Sequence, residues 1–527
     1  MYQKIKIISV LSLSLSGAIG LTANAKNAVI TSKIKNKIKP NVIFIYADDM
    51  GKGMLSAYGQ KYIKTPNIDK LIKLGVSFSN AYGCHYSAPA RASMLTGYSD
   101  AHAGHWNVTK AGKFMTMDTT AIAGIEKQVD AKEVILPKGD DYLPQIFNRA
   151  GYFTGEIGKL DYGFQGTRKQ TKAHGWNYYY GYLDHVRCHG YYPPFLFENG
   201  KIVMIKGNTY ANAGCVKWIT DPSKQKEYYS ERWNLKGKAQ YAQDLFDTKI
   251  KEFIDKHHDK PFFLYHPSML PHGPLAIPRV NSQVKNNPEL NDLEKEYASM
   301  VLRLDQTVGM IYNLLKKWKI IDNTIIIFSS DNGHTIFYAL DGHTSRDYNL
   351  KTGKRYNNDT NVYRTSSSGD IFNGNMGMAG LKWSNYEGGI HVPLTFYWKG
   401  HLKPSIKSQV VSNYDLLPTM ADMLNISVTA QKDGVSYLPI LFSENQTIPD
   451  NRYVLVDSRE GPAIIMNNGW KLRYDGKANV PKFELFNLRK DLGEYHDLAS
   501  QYPNKVEYMK QILLHEVTFT ELKKGFK

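Results

Sequence analysis

The stretch that decides the fold is Asn41-Val-Ile-Phe-Ile-Tyr-Ala47, and the acidic pair Asp48-Asp49 follows it. Such an uncharged, largely apolar run suits a strand that is buried on both faces of a parallel sheet. Further strand-like segments lie at 152–157, 261–266, 324–329 and 392–398, and helical patterns lie at 244–257 and 293–317. Because strands and helices alternate along the chain, we predict an α/β fold with a large mixed sheet flanked by helices.

The pattern changes after about residue 430. Short strand-like segments at 453–457, 463–466, 470–474 and 483–487 precede one helical segment near 505–518. Short strands that follow one another closely are typical of an antiparallel sheet. We therefore expect a main domain over residues 41–430 and a C-terminal subdomain over residues 431–527, built from a small antiparallel sheet and a helix.

Residues 1–25 have the pattern of a secretory signal peptide. Lys4 and Lys6 precede an apolar segment at 7–21, and Ala23-Asn24-Ala25 is typical of a cleavage site. The apolar segment contains four serines, which makes it too polar for a stable membrane span. Residues 26–40 are basic and polar and predict a flexible leader. The protein is therefore expected to be exported by a bacterium, to the periplasm or the medium, without a membrane span.

Charge and cysteine content limit the partners and the cross-links. The formal net charge of +17 reflects either a lysine-rich proteome or a field that attracts polyanions, such as sulfated glycans or nucleic acid. The sequence has no arginine-rich or aromatic-basic strip, so no nucleic-acid partner is predicted. Three cysteines are too few for a disulfide framework. Cys188 and Cys215 could form one pair, which would leave Cys84 over.

Two clusters of oxygen-bearing side chains follow predicted strands. Asp48 and Asp49 come after the first strand, and Asp331 and Asn332 come after the strand at 324–329. Sites form at the carboxyl ends of strands in open α/β sheets, and carboxylate and amide oxygens suit Ca²⁺ or Mg²⁺ rather than zinc. The alternative explanation is turn formation, which Asp and Asn also favour. Together, however, these carboxylates would concentrate negative charge unless a cation balances it.

The most specific motif is Cys84-His-Tyr-Ser87-Ala-Pro89-Ala-Arg91-Ala-Ser-Met-Leu-Thr-Gly97. It resembles the signature of the formylglycine-dependent sulfatases of the alkaline phosphatase superfamily, in its serine form. In that family the first signature residue is oxidised to formylglycine, here Ser87. Cys84 lies three residues early and is not the modified position. The resemblance implies an alkaline-phosphatase-like fold, a maturation enzyme as partner, a bound Ca²⁺ or Mg²⁺, and hydrolysis of sulfate esters.

Other family motifs cover nearly all of the chain after the leader. They are Gly151-Tyr-Phe-Thr-Gly-Glu-Ile-Gly-Lys159, Pro271-His272-Gly-Pro274, Ser330-Asp331-Asn332-Gly333 and Gly380-Leu-Lys382-Trp-Ser-Asn-Tyr-Glu387-Gly-Gly-Ile-His391-Val-Pro393. The resemblance implies that Lys159 contacts the formylglycine and the sulfate, that His272 faces the bridging ester oxygen, and that Lys382 binds the sulfate. The implied metal ligands are Asp48, Asp49, Ser87, Asp331 and Asn332.

Two departures from the family pattern concern histidines. The family often has a histidine two residues after the lysine, but this chain has Asp161 after Lys159. His189 is therefore a candidate for a substrate-binding pocket histidine, although it could equally be an ordinary core or surface residue. His391 replaces a family arginine, and we expect that position to be structural.

The chemistry of a sulfate monoester explains why these groups are needed. Its negative charge is spread over oxygens around sulfur, so Arg91, Lys159 and Lys382 would supply a positive field together with the metal. Attack by a plain serine would leave a stable sulfate ester, whereas the hydrated aldehyde has a second hydroxyl that expels sulfate. His272 is placed in its motif to protonate the leaving oxygen.

Several alternatives remain open at the level of sequence. A phosphatase or phosphonate hydrolase of the same superfamily would use an unmodified nucleophile and more metal ligands. A non-catalytic glycan-binding protein would have lost the nucleophile or the metal pair. Among sulfatases, an exo-acting carbohydrate sulfatase is favoured over an arylsulfatase of small phenols, because 36 tyrosines and 8 tryptophans offer rings for stacking on sugars. Residues 178–194 and the polar segment 346–374 are candidates for lining the sugar subsites.

Overall fold

The computed structural model describes residues 39–105, 140–161, 168–185, 187–215, 230–338, 362–443, 448–476, 478 and 480–517. Residues from Pro40 onward form one compact unit. The predicted signal peptide and residues 26–38 of the predicted leader lie outside the described residues, as do residues 346–361 of the polar segment. Among the described helices, none is both long and apolar enough to cross a membrane.

Fourteen strands form two sheets within the described residues. The strands are β1 Asn41–Ala47, β2 Val76–Tyr82, β3 Phe153–Lys159, β4 Tyr178–Tyr182, β5 Phe195–Glu198, β6 Lys201–Met204, β7 Phe262–Pro267, β8 Thr324–Ser330, β9 Leu394–Trp398, β10 Ser405–Ser412, β11 Tyr453–Val456, β12 Ala463–Met466, β13 Trp470–Asp475 and β14 Lys482–Asn487. The first ten form one sheet in the order β10-β2-β9-β8-β1-β7-β3-β4-β5-β6, and the last four form the second sheet in sequence order. The large sheet is mixed, because β9, β5 and β6 pair antiparallel to their neighbours.

Helices flank the large sheet, and one lies in the C-terminal region. The α-helices are α1 Pro66–Leu74, α2 Ser87–Thr96, α3 Leu143–Arg149, α4 Arg168–Ala173, α5 Ala242–His257, α6 Ser282–Lys285, α7 Asp292–Lys317, α8 Thr365–Ser368, α9 Glu387–Ile390, α10 Leu416–Leu424, α11 Leu438–Phe442 and α12 Pro503–Glu516. Short 3₁₀ helices cover Lys52–Met54, Ser56–Tyr58, Asp100–His105, Arg187–His189, Ile321–Asn323 and Asn413–Asp415. The fold class predicted from the sequence is confirmed.

Strand β1 is buried on both faces, as its apolar sequence predicts. Ile43 and Ile45 belong to one hydrophobic core, whereas Val42 and Phe44 belong to a second core on the opposite face. This division follows from the alternation of side chains along a strand. The two cores lie between the sheet and the helices that cover its faces, so β1 is fixed at the centre of the molecule.

The C-terminal sheet is antiparallel and packs against α12, as predicted. Leu472 and Leu485 on one face join Met509 and Leu513 of the helix in a small core. The opposite face, with residues such as Val454, packs against residues of the main sheet region. The small sheet is thereby held against the larger part of the fold by apolar burial on both of its faces.

Two expectations from the sequence need correction. The tyrosine-rich start of the segment 178–194 is strand β4, in which Tyr179, Tyr180 and Tyr182 are buried, so these rings fill the core and do not line a sugar subsite. Cys188 and Cys215 are free thiols. The Cys188 thiol instead contacts the backbone carbonyl of His185 at 3.0 Å.

Candidate active site

Four adjacent parallel strands deliver side chains to one edge of the main sheet. Strands β8, β1, β7 and β3 lie side by side at its centre. Directly or shortly after their carboxyl ends come Asp331 and Asn332, Asp48 and Asp49, and His272, while Lys159 is the last residue of β3. Because parallel strands end at the same edge, these side chains meet there, as the sequence predicts.

Ser87 is the first residue of α2. The helix ends at Gly97, whose φ of 79° is a left-handed conformation that glycine adopts without steric cost. The Ser87 hydroxyl donates a hydrogen bond of 2.5 Å to Asp48 Oδ1, and only 6% of the residue is exposed. The residue predicted to be oxidised therefore lies at a helix N-terminus, where the helix dipole favours negative charge.

Two cations bind the carboxylates next to Ser87. Lys159 Nζ donates a hydrogen bond of 2.7 Å to Asp48 Oδ2. Arg91 Nη2 lies 2.8 Å from Asp331 Oδ2 and 3.5 Å from Asp48 Oδ2. Both cationic side chains are almost completely buried. The strength of such charge-assisted bonds fixes the position of both carboxylates.

Asp49, Asn332 and Lys382 form the other half of the cluster. Lys382 Nζ donates to Asp49 Oδ2 at 2.7 Å, and Asn332 Nδ2 donates to Asp49 Oδ1 at 2.8 Å. The backbone N–H of Asp49 donates to Asp331 Oδ1 at 3.0 Å. These bonds join the two halves of the cluster. His272 also belongs to it, because its ring contacts Lys382. Nine of the ten predicted site residues, all except His189, are therefore connected.

His272 lies beside Lys382 and stacks on His189. Its Nδ1 donates a hydrogen bond of 2.5 Å to the Gly273 carbonyl, and its Nε2 lies 3.2 Å from Lys382 Nζ. The ring centroids of His189 and His272 are 4.2 Å apart with planes inclined by 15°. Burial and the charge of Lys382 hold the pKa of His272 well below its ordinary value. His189, the tenth predicted residue, is thus brought to the site as well.

The charges of the site balance in number. The carboxylates are Asp48, Asp49 and Asp331, and the cations are Arg91, Lys159 and Lys382. Burial opposes the ionisation of Asp48, but Lys159 and other nearby cations outweigh it and hold its pKa well below the ordinary value. Burial and the neighbouring Asp48 raise the pKa of Asp331. A divalent cation and an anion can therefore enter together without leaving a large net charge.

The oxygen atoms of the cluster fit a hard cation. A carboxylate oxygen of Asp48, one of Asp49 and a ring nitrogen of His272 lie within 4.8 Å of one another. Asn332 Oδ1 is buried and accepts no hydrogen bond from the described residues, so this amide oxygen is available as a ligand. Carboxylate and amide oxygens are the usual ligands of Ca²⁺ and Mg²⁺. The residues present can therefore hold a metal ion at this edge of the sheet.

The two positions that depart from the family pattern lie in separate networks. Asp161 Oδ1 accepts hydrogen bonds from His174 Nδ1 at 3.0 Å and Trp176 Nε1 at 3.3 Å. His391 Nδ1 lies 2.9 Å from Glu387 Oε2, and its Nε2 lies 2.6 Å from the Ser79 carbonyl. The contacts of His391 agree with the structural role expected for it.

His185 was not among the site residues predicted from the sequence. Its Nε2 lies 2.9 Å from the Leu160 carbonyl, and its buried Nδ1 has no hydrogen-bond partner in the described part of the chain. Burial and the charges of Lys159 and Arg91 hold the pKa of His185 well below its ordinary value. The spacing of His185 and His189, four residues apart in one short segment, was the signal that could have pointed to it.

Comparisons with known proteins identify the family of this chain. A sequence model of the sulfatase family matches residues 40–426. The chain is 25% identical to an N-acetylgalactosamine-6-O-sulfatase of Bacteroides thetaiotaomicron, over 95% of this chain and 98% of that protein. The region matched by the family model contains every residue of the candidate site, from Asp48 to Lys382.

Solved structures show the same architecture. The structure of Ps i-CgsB in complex with k-i-k-neocarrahexaose matches with a TM-score of 0.63 and 26% identity, over 93% of this chain and 94% of that one. A protein studied for the metabolism of multiple glycosaminoglycans by Bacteroides thetaiotaomicron matches with a TM-score of 0.65 and 23% identity, over 91% and 99% of the two chains, and shows the fold alone. Because the family model matches most of the length of this chain, the chain belongs to the sulfatase family of sulfuric ester hydrolases.

Proposed function

We propose that the protein is an exported, exo-acting bacterial sulfatase that removes sulfate from a sulfated glycan, with Ser87 oxidised to formylglycine by a maturation enzyme. The observation that carries this proposal is the Ser87 hydroxyl, held 2.5 Å from Asp48 Oδ1 at the N-terminus of α2 among three buried cations. A glycan substrate is supported by the similarity to an N-acetylgalactosamine-6-O-sulfatase and to a saccharide-bound structure.

The cations would bind the sulfate group. Lys159 and Lys382 end in compact ammonium groups, which suit a small anion. Arg91 would orient Asp331 and Asp48 through its ion pairs with them. These fixed charges stabilise the negative charge that develops on oxygen as the ester bond breaks. When oxidised to formylglycine, residue 87 supplies a nucleophile that can release its product and return to its starting state.

The metal ion would be held by Asp48, Asp49, Asp331, Asn332 and residue 87, with Ca²⁺ as the expected ion and Mg²⁺ as the second choice. When bound, it supplies positive charge beside the nucleophile and lowers the pKa of the attacking hydroxyl. Asn332 Oδ1, which accepts no hydrogen bond from any residue that the structure describes, supports this assignment.

His272 would donate the proton that the leaving alcohol needs. In the free site its pKa is low because the ring is buried beside Lys382. A bound anionic ester adds negative charge close to the ring and raises that pKa, which favours protonation at Nε2. His189 stacks on this ring and would keep its plane fixed while the substrate enters.

Mass spectrometry tests the proposal directly. The protein is purified after co-expression with an anaerobic formylglycine-maturation enzyme, and the tryptic peptide from Leu74 to Arg91 is weighed. Oxidation of Ser87 removes two hydrogens, so the peptide should be about 2 Da lighter, with the change at residue 87. Hydrolysis of a sulfated saccharide should depend on that conversion. An unmodified peptide in a fully active preparation would instead support a phosphatase-like mechanism with plain serine.

Removing the ammonium group of Lys159 is expected to impair catalysis strongly. Lys159→Ala should lower kcat/KM by about 100- to 1,000-fold, because one preorganised charge contact in a buried site is worth that much. The measurement is steady-state turnover of a sulfated saccharide. Lys249→Ala is the matched control, because Lys249 is a surface lysine that pairs with Glu198 at 2.9 Å. A loss of equal size in the control would contradict the assigned role.

Metal binding is expected to stabilise the folded protein. After chelation and dialysis, Ca²⁺ at about 100 times its Kd should stabilise the fold by about 2.7 kcal/mol, which is roughly 3 °C in Tm for a chain of this length. Asn332→Leu should shift the Ca²⁺ concentration that is needed upward by at least tenfold, since it removes one oxygen ligand. Potassium chloride of equal ionic strength is the control. An unchanged Tm with both Ca²⁺ and Mg²⁺ would refute the site.

A further inference from the structure

Two aromatic rings and one arginine form a cluster at the outer edge of the candidate active site. This rim cluster consists of Tyr86, Trp383 and Arg459. Tyr86 immediately precedes Ser87, Trp383 immediately follows Lys382, and Arg459 lies in the turn between β11 and β12. Ser87 and Lys382 are only 6% exposed, whereas all three members of the rim cluster are partly exposed. The cluster therefore lies between the buried site and solvent.

The geometry of the rim cluster is well defined. The rings of Tyr86 and Trp383 stack with centroids 4.7 Å apart and planes inclined by 25°. The guanidinium carbon of Arg459 lies 3.7 Å from the centroid of Trp383. Trp383 has a φ of 84°, and its backbone N–H donates to the His85 carbonyl at 2.7 Å. A bulky residue in the left-handed region is rare and persists where its surroundings hold it, as at functional sites.

The in-plane donors of Arg459 are available for a ligand. Among the described residues, no carboxylate lies within 4.0 Å of its guanidinium nitrogens, and no hydrogen bond of this side chain occurs. Burial lowers the pKa of Arg459, as expected for a cation without a carboxylate partner. Stacking on Trp383 occupies a face of the guanidinium but leaves its N–H groups directed outward in the plane. Such a preorganised fork suits an oxyanion.

We propose that the rim cluster is a subsite for a second anionic group of the substrate, which Arg459 binds while Trp383 and Tyr86 hold the guanidinium and border the sugar. This inference rests on the proposed function and adds a substrate class, namely saccharides that carry another sulfate or a carboxylate besides the sulfate that is cleaved. Arg459 is then a specificity-determining residue, and Trp383 is a positioning residue. Because the cluster lies between Ser87 and solvent, a substrate with one sulfate at Ser87 would bring its neighbouring substituents next to the cluster.

Charge supports an anionic occupant. Arg459 is the cation of the rim cluster, and Lys382 of the buried site lies close by, with its Nζ 5.4 Å from the centroid of Trp383. The net charge of +17 adds a long-range field that attracts polyanionic chains. A neutral sugar would leave the Arg459 charge without a counterion, whereas an anionic group would provide one.

The test compares matched substrates that differ by one anionic group. The probes are N-acetylgalactosamine 6-sulfate, its 4,6-disulfate, the disaccharide of the 6-sulfate with glucuronate, and 4-methylumbelliferyl sulfate. Arg459→Met keeps the length and apolar contact of the side chain and removes its charge and donors. We expect kcat/KM for the disulfate or the glucuronate disaccharide to fall by about 10- to 100-fold, mainly through KM. Turnover of the monosulfate and the aryl sulfate should stay within about twofold.

Two further variants secure the interpretation. Arg459→Lys should regain only part of the preference, because lysine keeps the charge but not the planar fork. Arg489→Met is the matched control, since Arg489 is an exposed arginine just beyond β14, and it should leave every rate unchanged. Whichever doubly anionic probe is affected identifies the second group as sulfate or carboxylate.

The remaining outcomes separate the inference from the proposed function. An equal loss on all probes, or no loss on any, overturns the rim subsite while sulfate-ester hydrolysis stands. Turnover of the aryl sulfate alone, without turnover of any saccharide, overturns it as well. Absence of turnover of all four probes by the matured wild-type protein contradicts the proposed function itself.

Discussion

Ser87→Ala is expected to abolish turnover, lowering kcat by roughly 10⁵- to 10⁶-fold, which is the size of loss that follows removal of a covalent nucleophile. Alanine cannot be oxidised to formylglycine and has no hydroxyl that could act in its place. The fold should persist, because the change removes one hydrogen bond to Asp48, worth about 1 kcal/mol. Asp48 keeps its bond to Lys159 at 2.7 Å. Activity assays and thermal unfolding of the same preparation measure both expectations.

Two variants show whether the loss is specific to this hydroxyl. Ser93→Ala removes another buried serine hydroxyl from α2, one that contacts the Cys84 thiol at 3.5 Å. This variant should keep most of the activity. Ser87→Cys should be active when it is expressed with a maturation enzyme that accepts cysteine, and inactive without it. Full activity of Ser87→Ala would mean that another residue is the nucleophile.

The centre of the fold could be predicted from the sequence because its signals are local. An uncharged segment of seven residues marked β1, and the acidic pair after it marked the edge of the sheet. The pattern at 293–317 predicted α7, which begins one residue earlier at Asp292. Each of these elements is buried on two faces or presents one continuous apolar face, so its pattern survives without tertiary information.

The missed strands lie where the local pattern is weak or ambiguous. The outermost strand β10 alternates between exposed and buried residues, including Ile406, which is 77% exposed. An exposed edge strand needs few apolar residues, so its sequence resembles a loop. Strand β4 is rich in tyrosine, a residue found equally in cores and in binding surfaces. Only pairing with β3 decides that its rings are buried.

The candidate site likewise has a part that could be predicted from the sequence and a part that could not. Residues within recognisable motifs, such as Ser87 and Lys382, could be located from the sequence, and the fold brings them together. The rim cluster could not, because Arg459 reaches Trp383 from 76 positions further along the chain. No periodicity or spacing encodes a contact between the C-terminal sheet and a loop of the main domain.

A second large effect is expected for Lys471, which holds the C-terminal sheet against the main domain. Lys471 is fully buried on β13 and pairs with Glu387 Oε1 at 3.0 Å and with Glu494 Oε1 at 2.8 Å. Lys471→Met should destabilise the protein by about 3–5 kcal/mol, because removing one partner of a buried ion pair leaves uncompensated charge. For a chain of this length the loss corresponds to a fall in Tm of roughly 4 °C.

Lys482→Met is the matched control for this prediction. Lys482 lies on the neighbouring strand β14, pairs with Glu484 at 2.7 Å and is 51% exposed. Surface ion pairs contribute about 0–1 kcal/mol, so this variant should keep its Tm within about 1 °C. Equal Tm values for the two variants would mean that the buried pairs do not hold the sheet.

The pH dependence of the Lys471→Met defect follows from the two carboxyls. In the wild-type protein burial opposes the ionisation of Glu387, but Lys471 and His391 outweigh it and lower its pKa to about 2. This pair therefore stabilises the fold above pH 4.5, the ordinary pKa of Glu, and its contribution disappears as the pH falls towards 2. Burial raises the pKa of Glu494 to about 7 even with Lys471 present.

Without Lys471 the pKa values of both carboxyls rise because burial is opposed less, although His391 still lowers that of Glu387. The folded variant therefore binds protons more tightly than the folded wild-type protein. A raised pKa costs stability as the pH rises above the ordinary value near 4.5. The deficit in Tm should therefore be larger at pH 8 than at pH 5, since at pH 5 Glu387 and Glu494 can be buried as neutral acids. A deficit that is the same at both values, or larger at pH 5, would show that Lys471 acts through packing and not through its charge.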